Sequence, residues 1–518
     1  MLARYDLQEP YREVAGVDKH EFDAVVDRAE QYARDNPAAY RLQVVGLGLL
    51  GYAYISVILA GLIAGMVLLG YLALHGGAIL AAKLFVAVLV LVIVVLRAFW
   101  IRIPAPSGRP LTQNQAPRLF GFIDQVIKST GAPRLSAVVL TPDLNAAIQQ
   151  RPRFGPFLGY RNYLVIGLPL LEALSADEIR AVLAHECGHL SGAHGKATSW
   201  VYRIRMTWTI IAGALEASDH WGRRLFVPFF KWYAPRFLAY SYVMAREQEY
   251  AADAVAAKVT SPAISGAALV RVELTNRWLG ERFWPSMLKG PQSSPAPNVA
   301  PFAAIGPQLA LGFAEPDAQR WFGAALNRDT GTADTHPSLR DRLSALGVKE
   351  PKLPPITQSA AEILLGKQRA VLAAEIDARW QRDVADWWAK AHAAHGDSRK
   401  RRDGLEKKAA KATLSLDEQL ELARLHLSND DFARARPLLE AVLAMAPQNA
   451  DAHAHLGALL ARSNEPTAIE HLQLAIRYDR QWTIRAGQIL HAQLLQAGQQ
   501  EDAKTVLKTM QDFRPRMG

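Results

Sequence analysis

The chain has 518 residues, half of them hydrophobic and 21% charged, with a net charge of +10 and a single cysteine. That length exceeds what one hydrophobic core supports and implies several domains. One cysteine excludes an internal disulfide framework, and so modest a positive charge gives no reason to expect a nucleic-acid partner.

Residues 1–42 form a charged N-terminal segment with no short apolar core or cleavage pattern of a secretory signal. From Val44 to Leu74 no residue is charged, a run long enough to span a bilayer. His75-Gly76-Gly77 breaks it. A second apolar run extends from Ile79 to Trp100, with Lys83 and Arg97 near its ends, where long side chains snorkel. Tyr71 and Trp100 suit the membrane interface. The expectation is a two-helix transmembrane hairpin over 43–103. Its turn is nearly free of basic residues, whereas Arg28, Arg34 and Arg41 precede it and Arg97, Arg102, Arg109 and Arg118 follow. The positive-inside rule then places both flanks, and everything downstream, on the cytoplasmic face of a multi-pass protein of a bacterial inner membrane. Pro104 to Pro110 marks the boundary to the next domain.

Ser175-Ala176-Asp177-Glu178 has the form of a capping box, and Ile179, Leu183 and Leu190 recur at helical spacing. An amphipathic helix is predicted from about Ala176 to Ser191. On it lies His185-Glu186-Cys187-Gly188-His189. Histidines four apart share a helical face, so two neutral imidazoles can meet one zinc ion while Glu186 faces water as a base. Catalytic zinc needs a third protein ligand. The position six residues after His189 is Gly195, and His194 falls off the metal-facing side. Cys187 also turns away from that side and reads as a small core residue.

The stretch from Arg224 to Met244 is rich in aromatics, with Arg224, Lys231 and Arg236 spaced through it. It is too charged to span comfortably, and either packs within the domain or lies on the membrane surface. Glu249 and Asp253 follow, four apart and hence on one helical face. Glu249 is the expected third ligand, and Asp253 the carboxylate holding a ligand histidine by its other ring nitrogen. Glu247 points elsewhere. Arg246 either pairs with Glu249 or meets substrate carbonyls, and the pairing is the expectation.

The string Leu174 to Ala184 running into the histidine motif, with Arg246, Glu249, Ala252 and Asp253 spaced as Arg-x-x-Glu-x-x-Ala-Asp, resembles metallopeptidase family 48. These are membrane gluzincins that include heat-shock membrane proteases and CAAX prenyl endopeptidases. The resemblance covers about Leu111 to Leu346, with Ala245 where a serine is usual. It implies a zinc metalloprotease domain over 110–350, with one zinc per chain on His185, His189 and Glu249. Glu186 is then general base and afterwards proton donor. Asn145-Ala146 matches a family pair on an edge strand, along which substrate lies as an added strand, although Ala147 replaces the usual aromatic. Thr335-His336-Pro337 with Arg342 matches a third element. His336 is catalytic if it stabilises an oxyanion, inhibitory if it joins the zinc as fourth ligand, and structural if it only starts a helix before Pro337.

Pro351 to Pro355 marks a further boundary, followed by a helical linker over 351–412 with Trp380, Trp387 and Trp388 on a packing face. The basic runs Arg399-Lys400-Arg401-Arg402 and Lys407-Lys408 read as a solvated helix rather than an anion site. Over 413–518 a 34-residue period emerges in Leu422, Leu456 and Leu490 and again in Leu438, Leu472 and Val506. That is the tetratricopeptide period, whose helix pairs stack and offer a surface to a protein partner.

The sequence thus predicts a mostly α chain with a small β-sheet: a transmembrane hairpin, an α+β zincin-like domain and an α-solenoid. The expected function is a membrane-anchored zinc endopeptidase acting on membrane or membrane-proximal proteins in quality control. The rival reading is a membrane adaptor that binds clients through its repeats around a structural zinc. Glu186 argues against it, because a structural site has no use for a base. Prenyl-protein processing would require more spans than two.

Overall fold

A computed structural model of the chain describes residues 19–76, 79–99, 106–154, 158–190, 204, 227–331, 334 and 336–513. Contacts divide the chain into two compact units, Met1–Leu288 with Val299–Arg382, and Lys289–Asn298 with Asp383–Gly518.

The first unit opens with three helices, α1 (Lys19–Asp35), α2 (Pro37–Gly76) and α3 (Ile79–Phe99). With 40 residues, α2 is about 60 Å long at 1.5 Å per residue. Its first half packs into the protein, with Tyr40, Val44 and Ile55 buried. Its second half leaves Val57, Val67, Leu68, Tyr71 and Leu74 exposed. It is the one helix among the described residues that is long and apolar enough to cross a membrane. Helix α3 packs beside it, the Phe85 ring lying against Gly70.

A four-stranded sheet follows, from β1 (Arg109–Leu111), β2 (Ala137–Thr141), β3 (Ala146–Phe154) and β4 (Leu158–Gly167), with α4 (Pro117–Thr130) between β1 and β2. The order is β1-β2-β4-β3, parallel between β2 and β4 and antiparallel elsewhere, which leaves β3 on the edge. Gly167 is obligatory where β4 ends, because a Cβ there would lie 1.7 Å from the Asp143 carbonyl oxygen. Helices α5 (Leu168–Ala173), α6 (Ala176–Gly188), α7 (Val227–Val259) and α8 (Pro262–Trp278) come next. Leu119, Leu140, Leu164, Ile166, Leu171, Ile179 and Leu183 form the core between sheet and helices.

From Val227 onward, the aromatic stretch before Glu249 is the first half of α7. Phe230, Tyr233 and Phe237 are buried against Val26, Ala29, Tyr40 and Val44 of α1 and α2. The buried rings thus meet the N-terminal helix and the apolar helix after it, and Trp232 stays exposed. After α8 come α9 (Pro301–Leu309), α10 (Glu315–Leu326), α11 (Leu339–Ala345), α12 (Ala360–Leu365) and α13 (Gln368–Ala409). The core does not end at the proline-rich boundary. Ala360, Leu364, Leu372 and Ile376 are buried in it, and Arg369 grips the buried Glu172 through both carboxylate oxygens at 2.7 and 2.8 Å. Prolines 351, 354 and 355 lie in a loop within this compact unit, which runs on to Arg382.

In the second unit Trp388 is fully buried, its ring stacked where Gly290 leaves no side chain and its Nε1–H donating to the Ser294 carbonyl at 2.9 Å. Six helices follow: α14 (Leu416–Ser428), α15 (Phe432–Met445), α16 (Ala450–Arg462), α17 (Thr467–Tyr478), α18 (Thr483–Gln496) and α19 (Gln500–Asp512). Each packs on the next in sequence. Leu422, Leu456 and Leu490 are buried at equivalent places, and Leu472 is fully buried. Gly457 allows the close crossing of α16 and α17, since a Cβ there would meet Leu472 at 2.8 Å. The basic run is paired: Arg401 holds Glu421 at 2.8 and 2.7 Å, and Lys408 holds Glu418 at 2.6 Å.

Candidate metal centre

The capping box forms as its residues require. The Ser175 hydroxyl accepts the Glu178 N–H at 3.3 Å, and Glu178 Oε2 accepts the Ser175 N–H at 2.8 Å. Glu178 is buried, and its other oxygen takes Arg271 Nε at 2.9 Å. The helix so started ends at Gly188 with His189 as its cap, one turn sooner than the apolar spacing suggested. Position 194 lies outside the described residues. Ile179, Leu183 and Cys187 face the core, which leaves His185, Glu186 and His189 on the open side. Burial pushes the Cys187 thiol up to about 11.

Helix α7 crosses α6 at Gly188, where a Cβ would lie 3.2 Å from Ala252 Cα and 3.3 Å from Val255 Cβ. This close approach carries Glu249, three residues before Ala252, up to the histidines. His185 Nε2 and His189 Nε2 are 3.2 Å apart, His185 Nε2 lies 3.6 Å from Glu249 Oε2, and His189 Nε2 lies 3.4 Å from Glu249 Oε1. Ligands about 2.0–2.2 Å from a tetrahedral zinc are separated by about 3.3–3.6 Å, the edge of that tetrahedron. Each imidazole nitrogen thus stands near that spacing from the other and from one of the two Glu249 oxygens, and one ligand atom from each residue lies within 4.8 Å of the others.

The donor chemistry agrees with the spacing. His185 Nδ1 lies 2.9 Å from Asp253 Oδ1, and a carboxylate can only accept, so the proton is on Nδ1 and Nε2 presents a lone pair. Arg342 Nη2, 3.4 Å from the same Nδ1, then has no lone pair to bind there. Glu249 Oε2 is buried, with His336 Nδ1 at 2.8 Å and His185 Nε2 at 3.6 Å, and a cation between the carboxylate and the His185 lone pair would meet both. Burial opposes ionisation of Glu249, but His336, His185 and Arg342 hold its carboxyl well below the usual carboxylate range. Burial likewise opposes ionisation of Asp253, and Arg342 and His185 outweigh it. Glu186 is the contrast: burial raises it above the ordinary glutamate value, as a group that must take up a proton requires.

Glu186 Oε2 accepts the Ile148 N–H of β3 at 3.3 Å. The parity of β3 explains this contact. The Gly167 N–H donates to the Asn145 carbonyl at 2.8 Å, so Asn145 and alternate residues beyond it face β4. Ala146, Ile148 and Gln150 then turn their backbone groups to the open edge, and Glu186 sits on that edge. Asn145 itself is exposed at the start of the strand.

Arg246 has partners other than the expected Glu249. Arg246 donates to the carbonyls of Asp334 (2.8 Å) and Gly331 (2.7 Å) and pairs with Glu30 of α1. It thereby ties the loop before His336 to the N-terminal helix. The guanidinium nearest Glu249 is that of Arg342, with Nη1 at 3.8 Å from Oε2. Arg342 also grips Asp253 at 2.8 and 2.6 Å through Nε and Nη2. Spacing along the chain could not reveal that pairing, which joins residues 89 positions apart. His336 is mostly exposed, 70% of its side chain facing solvent at the mouth of the site.

Comparison with known proteins agrees with this geometry. Residues 116–349 match the family model described as Peptidase family M48. The chain is 27% identical over 181 residues to the "Protease HtpX homolog" of Tropheryma whipplei strain Twist, and the same holds for its counterpart in strain TW08/27. Each match covers 32% of this chain and 60% of the relative's length. The stretch that resembles peptidase family M48, residues 116–349, holds all the metal-facing side chains described above.

Proposed function

We propose that this chain is a membrane-anchored, zinc-dependent endopeptidase acting on membrane or membrane-proximal proteins. The observation that carries the reading is two imidazole nitrogens and a carboxylate gathered within 4.8 Å of one another, beside a half-buried glutamate and an open strand edge. His185, His189 and Glu249 hold the metal, and Asp253 orients His185. When bound, zinc supplies Lewis acidity that polarises a carbonyl and acidifies water. Glu186 takes the proton of the attacking water and returns it to the leaving amine. A peptide paired to the outward groups of Ala146, Ile148 and Gln150 runs past Glu186, because Ile148 already touches that carboxylate. His336, with Nδ1 on Glu249 and its ring in solvent, is able to meet the substrate as it enters.

The exposed apolar half of α2 supports membrane attachment, since so long an apolar face needs lipid to cover it. Pairing with α3 as a two-span hairpin and a cytoplasmic catalytic face rest on the flanking arginines. The six C-terminal helices are read as tetratricopeptide repeats that receive a protein partner, and a role in quality control rests on the family resemblance. The test is cleavage of an unstructured protein by the full chain in liposomes. Glu186→Gln should keep its zinc and lose roughly 10²–10⁴-fold in rate. Cleavage at the unchanged rate would remove Glu186 as the base.

A further inference from the structure

Asp253 cannot orient His185 unless something orients Asp253. Its carboxylate is buried, and both oxygens are taken by one guanidinium: Arg342 Nε on Oδ2 at 2.8 Å and Nη2 on Oδ1 at 2.6 Å. This fork leaves Oδ1 facing His185 Nδ1 at 2.9 Å. Arg342 is itself enclosed, with 15% of its side chain exposed, and its Nη1 reaches to 3.8 Å from Glu249 Oε2. Ser338, which accepts the Asp341 N–H at 3.2 Å, caps the short helix α11 that carries Arg342 and so fixes where it enters.

We infer that Arg342 is a positioning residue of the metal centre, acting through Asp253 to hold the His185 ring in its metal-binding orientation. This rests on the zinc reading above. The requirement is for a planar fork and not for charge alone. A lysine ammonium is a point charge that cannot bond both oxygens in one plane, so Asp253 would turn and release the ring.

The test is a double-mutant cycle in zinc affinity, measured by chelator competition on the detergent-solubilised full chain. Arg342→Lys and Asp253→Asn should each weaken zinc binding by roughly 10–100-fold, the usual loss when a partner of a metal-bound histidine is removed. The double variant should bind about as weakly as Asp253→Asn alone, because the arginine has nothing left to act through. Thermal unfolding of the metal-free proteins accompanies each measurement. A purely structural role lowers that stability without producing the non-additive pattern in zinc affinity. Wild-type affinity in Arg342→Lys, or losses that simply multiply in the double variant, would overturn the inference. Absence of zinc binding by the unmutated chain would overturn the metal reading itself, and this inference with it.

Discussion

Placing a side chain at Gly188 tests whether the crossing of α6 and α7 builds the site. The Cβ of Gly188→Ala would meet Ala252 Cα at 3.2 Å, Val255 Cβ at 3.3 Å and Ala252 Cβ at 3.5 Å. Carbon atoms rest at about 3.5–4.0 Å, so alanine forces the helices apart by a few tenths of an ångström. The wall it meets is backbone and Cβ atoms, which no rotamer change can move aside. Valine adds two methyl groups to a space already short, and overpacking of that kind costs about 1–3 kcal/mol. The displacement reaches Glu249, three residues from Ala252 on α7. Zinc–ligand distances tolerate only about ±0.2 Å, so zinc affinity should fall in the order glycine, alanine, valine. Chelator competition and thermal unfolding of the metal-free chain measure the two effects separately. Wild-type stability and zinc affinity in Gly188→Val would refute the crossing as the device that brings Glu249 to the histidines.

Two further outcomes follow from local structure. Cys187 has its pKa pushed up to about 11 by burial, so at pH 8 about a thousandth of it is thiolate, against roughly a quarter for an unfolded cysteine. Alkylation of the native chain should therefore be slow at pH 8 and accelerate toward pH 11, and rapid labelling at pH 8 would contradict the packing. Ser175→Ala removes the acceptor for the Glu178 N–H and should cost about 1 kcal/mol in urea unfolding, and an unchanged midpoint would mean the cap contributes nothing.

Sequence alone revealed the parts of the site that depend on short spacings. The Ser175–Glu178 box, the His185–His189 pair and the Glu249–Asp253 pair are all set by helical geometry three or four residues apart. The parts it did not reveal are set by distant partners. Arg246 and Arg342 each sit at motif positions, but Glu30 and Asp253 reach them from elements far away in the chain. Aromatic residues before Glu249 carry Lys231 and Arg236 among them, which suits a membrane surface as well as a core. Only the presence of α1 and α2 decides for burial of Tyr233 and Phe237. Prolines 351 to 355 resemble a linker by composition, yet Ala360 and Leu372 beyond them complete the core of the same unit. In β3 the identity of the outward-facing residues needed the register with β4.

The most direct measurement is X-ray absorption at the zinc edge of the full chain, with metal content determined alongside. The account predicts one zinc per chain, ligated at about 2.0–2.2 Å by two imidazole nitrogens and one carboxylate oxygen, with one position free of protein. Glu249→Ala should lose the carboxylate and most of the bound metal. An unchanged spectrum and metal content in Glu249→Ala, or four protein ligands in the unmutated chain, would contradict it.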